Sequence, residues 1–348
     1  MIAEAEFLRG MPKVQLHCHL EGTLRPATFI ELARRHGVAL VYRPGDSASP
    51  PDDGHADPER VYRFETFEQF LLTFAAVSRA LAEPADYGRL AREYVEDAIA
   101  QNVALAEVFI SPSVWQFFHP AIDVRACVQA MRDAFDAARE RIEATFIVDV
   151  TRNFGVESAM KTAQLAVEMR DLGVIGIGLG GDEANYPAEL FEGVFAFART
   201  AGLHTVAHAG EAGGAQSVRA AVEVLGAQRI GHGIRALEDP SVLGMLARER
   251  IPLEICPTSN VRTGVVAIEA RHPLVELDAA GCIVTIDADD PALFETTVTD
   301  EYAYATRVAG LDAAIRFAEN AVDASFASSQ RKAALHRGLE RYREHVGP

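Results

Sequence analysis

The sequence predicts an α/β fold in which eight parallel strands close into a (β/α)8 TIM barrel, with an inserted helical lid region after the first strand and extra helices at the carboxyl end. Two observations predict it. Short β-rich segments alternate with longer segments of helical periodicity, and eight strand segments can be marked. With 49% hydrophobic and 24% charged residues, the 348-residue chain can bury an ordinary core, and we expect residues 1–348 to form a single domain.

The strand segments are rich in β-branched and apolar residues, as buried parallel strands require. They are predicted at 14–20, 105–111, 144–150, 174–180, 204–209, 229–233, 253–257 and 282–287. Amphipathic helices that lead directly into the next strand are predicted at 158–172, 189–201, 215–225 and 242–249. A doubly wound open sheet is the alternative, but Gly-Leu-Gly-Gly-Asp-Glu at 178–183 lacks the G-x-G-x-x-G spacing of a dinucleotide turn.

The connection after the first strand contains an insertion at about 42–100. Four prolines between residues 42 and 61 exclude a continuous helix there. Beyond them, an aromatic stripe at helical spacing is formed by Phe64, Phe67, Phe70, Leu71 and Phe74. Such a stripe is typical of core packing, but here it also suits a lid, because a connection leaving the carboxyl end of a barrel strand starts on the face that holds active sites. The residues after 290 predict helices outside the barrel.

Charge and targeting features restrict the partners of the chain. Its 33 basic and 50 acidic residues give a net charge of −17, so we expect neither a nucleic-acid nor a membrane partner. The first ten residues lack the apolar region of a secretory signal, and no apolar stretch reaches the roughly 20 residues that span a bilayer, which predicts a cytoplasmic protein. The four cysteines show no C-x-x-C spacing, which predicts buried, reduced thiols.

Histidines and carboxylates lie at the ends of four predicted strands or just beyond them. They are His17 and His19 at the first, His208 and Glu211 at the fifth, His232 at the sixth, and Asp287, Asp289 and Asp290 at the eighth. Strand alternation points both imidazoles of the His-Cys-His segment to one side. Each cluster alone has an ordinary interpretation, as a buried core histidine or a helix N-cap. Because parallel strands end on one face of a barrel, the four together indicate a shared site.

Three histidines and an aspartate form a nitrogen and oxygen donor set that suits Zn²⁺, with a water completing a catalytic site. A second metal would usually need a bridging ligand on a middle strand, often a modified lysine. The lysines are Lys13, Lys161 and Lys332, none of which ends a predicted strand. The sequence therefore predicts a hydrolytic centre with one zinc per chain, although Co²⁺, Fe²⁺ or Mn²⁺ could occupy the same ligands.

Several motifs occur in a fixed order along the chain. They are Met-Pro-Lys-Val-Gln-Leu-His-Cys-His-Leu-Glu-Gly at 11–22, Gly-Gly-Asp-Glu at 180–183, His-Ala-Gly-Glu at 208–211, Arg-Ile-Gly-His-Gly at 229–233, Cys-Pro-Thr-Ser-Asn at 256–260 and Asp-Asp-Pro at 289–291. From about residue 11 to 335 the chain resembles the adenosine and adenine deaminase family of the metal-dependent amidohydrolases. The resemblance implies deamination of a 6-aminopurine nucleoside, foremost adenosine or deoxyadenosine to inosine and ammonia. The alternatives are adenine and 6-amino-6-deoxyfutalosine.

The resemblance also implies a role for individual residues. Four would bind the zinc: His17, His19, His208 and Asp289. Glu211 would protonate purine N1, and His232 would orient the attacking hydroxide. Asp290 would contact N7, and the backbone amide of Gly181 would reach N3. Three residues would complete the substrate pocket: Glu21, Asp287 and Phe67.

Three departures from the family pattern concern the substrate. Glu21 stands where adenosine deaminases commonly carry Asp near the ribose 5′-hydroxyl, and Glu there resembles adenine deaminases. Thr-Ile-Asp-Ala at 285–288 replaces the usual Ser-Leu-Asn-Thr or Ser-Leu-Asn-Ser, and Gly178 stands where many members carry Asp. Two other classes stay open: a metal hydrolase of another bond, such as an amidase, lactonase or phosphotriesterase, and a catalytically silent nucleoside-binding barrel.

Overall fold

The computed structural model describes residues 4–40, 58, 60–64, 66–268 and 271–346. Its centre is one eight-stranded sheet in which each strand lies parallel to the next along the chain. The strands are β1 (Lys13–Gln15), β2 (Val103–Ile110), β3 (Glu143–Thr151), β4 (Val174–Gly180), β5 (His204–Ala209), β6 (Arg229–His232), β7 (Pro252–Ile255) and β8 (Ile283–Ile286).

Hydrogen bonds between the segments after β1 and β8 join the two edges of the sheet. The amide of His19 donates to the carbonyl of Asp289 at 2.9 Å, and the amide of Asp289 donates to the carbonyl of His17 at 3.1 Å. The predicted (β/α)8 barrel is confirmed, and the doubly wound alternative is wrong. The first strand is shorter than the predicted 14–20, because residues 18 and 19 pair with their neighbours only through isolated bridges.

The helices of the described residues surround this barrel. They are α1 (Glu4–Gly10), α2 (Pro26–His36), α3 (Phe67–Ala80), α4 (Pro84–Ala100), α5 (Pro112–Phe118), α6 (Val124–Ala137), α7 (Gly155–Glu168), α8 (Glu192–Thr200), α9 (Ala215–Glu223), α10 (Pro240–Glu249), α11 (Pro257–Arg262), α12 (Leu274–Ala279), α13 (Val298–Ala309), α14 (Leu311–Ala324) and α15 (Ser329–Val346). Helices α13 to α15 are the expected carboxyl-terminal helices. Among the described helices, none combines the length and apolarity that crossing a membrane requires. All four cysteines are buried and unpaired, as predicted.

The barrel interior is filled by side chains. Phe109, Ile147 and Val206 are fully buried and form a small apolar cluster, in which the Phe109 ring lies 5.0 Å from the rings of both His17 and His19. Arg229 lies nearer the amino ends, where its guanidinium donates to the buried carboxylates of Glu107 and Glu254. Because side chains occupy this end of the barrel, a ligand has to enter from the carboxyl end.

The aromatic stripe of the insertion lies close to the carboxyl end of β8. Phe70 stacks on Phe294 with ring centroids 5.0 Å apart, and Phe64 meets the same ring edge-on at 5.9 Å. Leu71 is 49% exposed, so the stripe is not entirely core. Phe294 is four residues beyond Asp290, which places the stripe beside the predicted site, as a lid region requires. Residues 41–57 of the insertion lie outside the described residues.

Candidate active site

The predicted metal ligands converge at the carboxyl end of the barrel. Nε2 of His19 lies 3.1 Å from Nε2 of His208 and 3.5 Å from Oδ1 of Asp289. Nε2 of His17 lies 3.6 Å from the same carboxylate oxygen. Three nitrogen donors and one oxygen donor, carried by β1, β5 and β8 or the residues directly after them, thus face a common point.

His232 at the end of β6 belongs to the same group of side chains. One ligand atom from each of His17, His208, His232 and Asp289 lies within 4.8 Å of the others. Distance alone therefore does not show whether His232 is a metal ligand or a hydrogen-bond donor. Its role depends on which nitrogen of the imidazole carries the proton.

A chain of hydrogen bonds assigns the tautomer of His232. The amide of Leu274 donates to Nδ1 of His272 at 3.1 Å, so Nε2 of His272 carries the proton and donates to Oδ1 of Asn260 at 3.3 Å. Nδ2 of Asn260 then donates to Nδ1 of His232 at 3.1 Å. His232 consequently presents an N–H at Nε2, and this nitrogen acts as a donor while the ring stays neutral.

The opposite tautomer holds for two of the predicted ligands. Nδ1 of His17 donates to Oε2 of Glu254 at 2.8 Å, and Nδ1 of His208 donates to the carbonyl of Leu179 at 3.1 Å. Both Nε2 atoms therefore offer lone pairs. Nε2 of His17 is buried and has no hydrogen-bond partner among the described residues. A buried nitrogen lone pair beside two more imidazoles and a carboxylate is what a zinc site needs, so these residues fit the metal.

A hydrogen bond from Ser259 and a strained backbone orient Asp289. Its Oδ2 accepts a 2.6 Å hydrogen bond from Oγ of Ser259, which leaves Oδ1 toward the histidines. Its backbone has a φ of +60°, and that of His232 has a φ of +62°, both in the left-handed region that residues with a side chain seldom adopt. Such strain persists where the surroundings enforce it and is concentrated at functional sites.

We expect Glu254→Gln to weaken zinc affinity by roughly 10–100-fold, because the carboxylate that accepts from Nδ1 of His17 makes that imidazole a stronger ligand. Competition with a chromophoric chelator measures the affinity. Glu249→Gln on α10 makes the same chemical change at an exposed position and should bind zinc like the unmodified protein. Equal affinities in both variants, with unchanged melting temperatures, would remove Glu254 from the metal site.

Glu211 lies in a loop held by one buried acid. Oε1 of Glu183 accepts from the amide of Gly210 at 2.6 Å, and its Oε2 accepts from the amides of Ala212 and Gly213 at 2.9 and 2.7 Å. Oε2 of Glu211 lies 3.6 Å from Nε2 of His232. Burial raises the pKa of Glu211 to about 8, and the charges of Asp289 and Glu183 act in the same direction. This direction favours the protonated form of the carboxyl.

Three buried carboxyl oxygens near this centre have no hydrogen-bond partner among the described residues: Oε2 of Glu21, Oδ1 of Asp149 and Oδ1 of Asp290. The other oxygen of Glu21 is fixed, because Oε1 accepts from the amide of Ser111 at 2.8 Å and from Nε1 of Trp115 at 2.7 Å. Burial raises the pKa of Asp290 well above its usual range, and the charge of Asp289 raises it further.

Gly181 has two reasons to be glycine. Its φ is +95°, and a Cβ built on it would lie 2.5 Å from Oδ1 of Asn153. The residue follows β4 directly, so its amide stands at the carboxyl end of the barrel, where the sequence places it.

The carboxylate of Asp287, which the sequence predicts as a substrate residue, accepts hydrogen bonds from β8 and from the segment after β1. Oδ1 accepts from the amides of Leu16 and His17 at 2.6 and 3.0 Å, and Oδ2 accepts from Oγ1 of Thr285 at 2.9 Å. Phe67 is the first residue of α3, but its side chain lies outside the described residues.

Sequence reasoning missed several residues that support the site: Glu183, Glu254, Ser259, Asn260 and Asp149. Three of them stand inside the motifs quoted above, but a motif does not show which atoms its residues contact. Glu254 and Asp149 gave a clearer signal, because each is a carboxylate inside an otherwise apolar predicted strand.

Comparisons with known proteins agree with this geometry. The adenosine deaminase family model matches residues 12–342. An adenine deaminase of Vibrio parahaemolyticus is 35% identical over 97% of both chains. An aminodeoxyfutalosine deaminase of Streptomyces coelicolor is 37% identical over 97% of this chain and 85% of its own.

Solved structures give the same result. The adenine deaminase of Arthrobacter aurescens superimposes with a TM-score of 0.87 at 32% identity, covering 96% of this chain and 99% of that one. An amidohydrolase of Burkholderia ambifaria with bound zinc gives a TM-score of 0.85 at 26% identity, covering 99% of this chain and 96% of that one.

The parallel barrel with metal donors at its carboxyl end places the protein among the amidohydrolases. The chain belongs to the adenosine deaminase family. It is thus a hydrolase that acts on C–N bonds, a deaminase of the 6-aminopurine type, and its substrates are small molecules. The predictions of family and enzyme class are confirmed.

Proposed function

We propose that the protein binds one zinc ion per chain and hydrolyses the 6-amino group of free adenine, giving hypoxanthine and ammonia. The observation that carries the proposal is a group of four buried atoms at one barrel end that have no hydrogen-bond partner among the described residues: Nε2 of His17 and one carboxyl oxygen each of Glu21, Asp149 and Asp290. Buried polar atoms without partners are costly, so their concentration in one place indicates a polar ligand.

In this proposal His17, His19, His208 and Asp289 hold the zinc, which when bound supplies a Lewis acid that lowers the pKa of water toward neutrality. The remaining steps belong to the chain. Glu211 transfers the proton of its carboxyl to purine N1, which makes C6 electrophilic. The Nε2–H of His232 orients the oxygen that attacks C6. The amide of Gly181 donates to N3, and the protonated carboxyl of Asp290 donates to N7.

In this proposal the strand order also gives purine N9 a direction. Glu211 follows β5, Gly181 follows β4 and Asp290 follows β8. The edge of the purine ring that contains N3, N9, C8 and N7 therefore faces one arc of the barrel mouth. This arc runs from β4 through β3, β2 and β1 to β8. Glu21, which lies just beyond β1 and is tied to Ser111 after β2, stands on that arc.

Free adenine suits this arc because its N9–H is a hydrogen-bond donor. Oε2 of Glu21 is a buried acceptor without a partner among the described residues, and the two bonds on Oε1 fix its direction. In adenosine the same nitrogen carries a sugar and has no hydrogen to give. The relatives named adenine deaminase point the same way, and adenosine, the first expectation from the sequence, becomes the less favoured substrate.

A second candidate is 6-amino-6-deoxyfutalosine, which the Streptomyces relative favours. Its ribose, like that of adenosine, carries hydroxyls that can donate to Glu21, so the comparison of substrates decides between base and nucleoside. The zinc content, the single domain and the cytoplasmic location stay predictions alongside the substrate.

A substrate panel tests the proposed function. For the zinc-loaded protein we expect kcat/KM on adenine to exceed that on adenosine, deoxyadenosine and 6-amino-6-deoxyfutalosine by at least about 100-fold, because a buried acceptor left unpaired discriminates strongly. Ammonia release and the loss of the 6-aminopurine absorbance band measure turnover. A preference for any nucleoside would overturn the adenine assignment, and inertness toward the whole panel would contradict 6-aminopurine deamination by this site.

A further inference from the structure

Asp149 is a buried acid that neither the family motifs nor the zinc site uses. It lies on β3, two residues beyond Ile147, whose side chain belongs to the apolar cluster inside the barrel. Because alternate residues of a strand face the same side, Asp149 also points into the barrel, one layer nearer its carboxyl end. Only 5% of the residue is exposed.

The carboxyl of Asp149 lies against the glycines of β4. A Cβ built on Gly180 would be 2.3 Å from its Oδ2, and one built on Gly178 would be 2.8 Å from its Oδ1. Asp149 and Gly178 are also paired across the two strands. The glycine at 178, where the resemblance leads us to expect Asp in many members, is therefore explained: an Asp there would collide with the carboxyl that enters from β3.

This position places Asp149 beside the proposed site of purine N3 and on the arc that faces N9. Gly181, whose amide is assigned to N3, follows Gly180 directly, and Glu21 is the neighbouring acid along the arc. Burial raises the pKa of Asp149 to about 7, and the charge of Glu21 acts in the same direction. Oδ1 of Asp149 and Oε2 of Glu21 both lack hydrogen-bond partners among the residues that the structure describes.

We propose that Asp149 is a specificity-determining residue whose Oδ1 accepts a hydrogen bond from the N9–H of a free purine. Oε2 of Glu21 accepts from the same N9–H, with Asp149 on the N3 side of the ring and Glu21 on the C8 side. The pair selects free 6-aminopurine bases and rejects those substituted at N9. This inference rests on the proposed function, and it adds a residue on β3 that determines which purines enter.

Asp149→Ala and Asp149→Asn, assayed on adenine and on 9-methyladenine, test this inference. The 9-methyl compound keeps the reacting amidine but has no N9–H. The unmodified protein should prefer adenine by at least about 100-fold. Asp149→Ala should lower kcat/KM on adenine by roughly 10–100-fold and change that on 9-methyladenine by less than about threefold. Asp149→Asn keeps an acceptor oxygen and should retain more of the preference for adenine.

The control is Asp133→Asn on α6, an exposed position that should leave the ratio of the two substrates unchanged. Zinc content and melting temperature are measured for every variant. If Asp149→Ala does not fold, the result for Asp149→Asn decides the test. Equal losses on both substrates would assign Asp149 a structural role and overturn the inference while leaving the deaminase intact. An unmodified protein that accepts 9-methyladenine as readily as adenine would also overturn it, whereas inertness toward every 6-aminopurine would refute the proposed function itself.

Discussion

Glu211→Gln is expected to lower kcat by about 10²–10⁴-fold on the preferred substrate while zinc content and melting temperature stay unchanged. An amide has nearly the shape of the carboxyl but cannot transfer a proton to purine N1. The loop around it should keep its place, because the amides of residues 210–213 are held by Glu183 and not by Glu211. Steady-state kinetics with parallel metal analysis measures the effect.

The matched control for this substitution is Glu192→Gln at the start of α8, where the side chain is exposed. It should keep full turnover. If Glu211→Gln also kept full turnover, proton transfer by Glu211 would be wrong and another acid would have to protonate the ring. A fall in zinc content would instead show that Glu211 supports the metal.

Asp289→Asn is expected to lose most of its zinc and with it at least about 10³-fold in kcat, since a bound metal contributes several kcal/mol to hydrolysis. Among the four proposed ligands Asp289 is the one that brings negative charge. The carboxylate oxygen near His17 and His19 is replaced by an amide, a poorer zinc ligand. Elemental analysis after gel filtration gives the metal content independently of activity.

Chelation provides the matching experiment on the unmodified protein. Removal of the metal should abolish turnover, and one equivalent of Zn²⁺ per chain should restore it. Asp312→Asn, at an exposed position in the first turn of α14, should keep both metal and activity. A fully active metal-free protein would refute the zinc site, and two tightly held ions per chain would favour the other metal hydrolases considered from the sequence.

Much of the fold could be predicted because it depends on local periodicity. Apolar strand segments followed by amphipathic helices leave a parallel barrel as the arrangement that buries both faces of the sheet. The shortened first strand could not be predicted, because strand ends depend on how residues 18 and 19 pair with other segments of the chain. Their pairing partners, Asp289 and Phe109, are remote in the chain.

The candidate site, like the fold, could be predicted only in part. The kinds of side chain it contains could be predicted, since His17, His19, His208 and Asp289 are unusual residues at strand ends. The partners of Asp287 and Asp149 could not be predicted. Asp287 accepts from the amides of Leu16 and His17, whereas Oδ1 of Asp149 has no hydrogen-bond partner among the described residues.

The sequence by itself determined the barrel, the family and the kinds of atoms at the site, because alternation and motif order are properties of neighbouring residues. Only the tertiary structure decided which imidazole nitrogens carry protons and which carboxyl oxygens lack partners. Those properties depend on hydrogen bonds between distant segments, such as the one from Asn260 to His232 and the one from His17 to Glu254. A proton's position on an imidazole is set by what the other nitrogen contacts, and that contact exists only once the chain has folded.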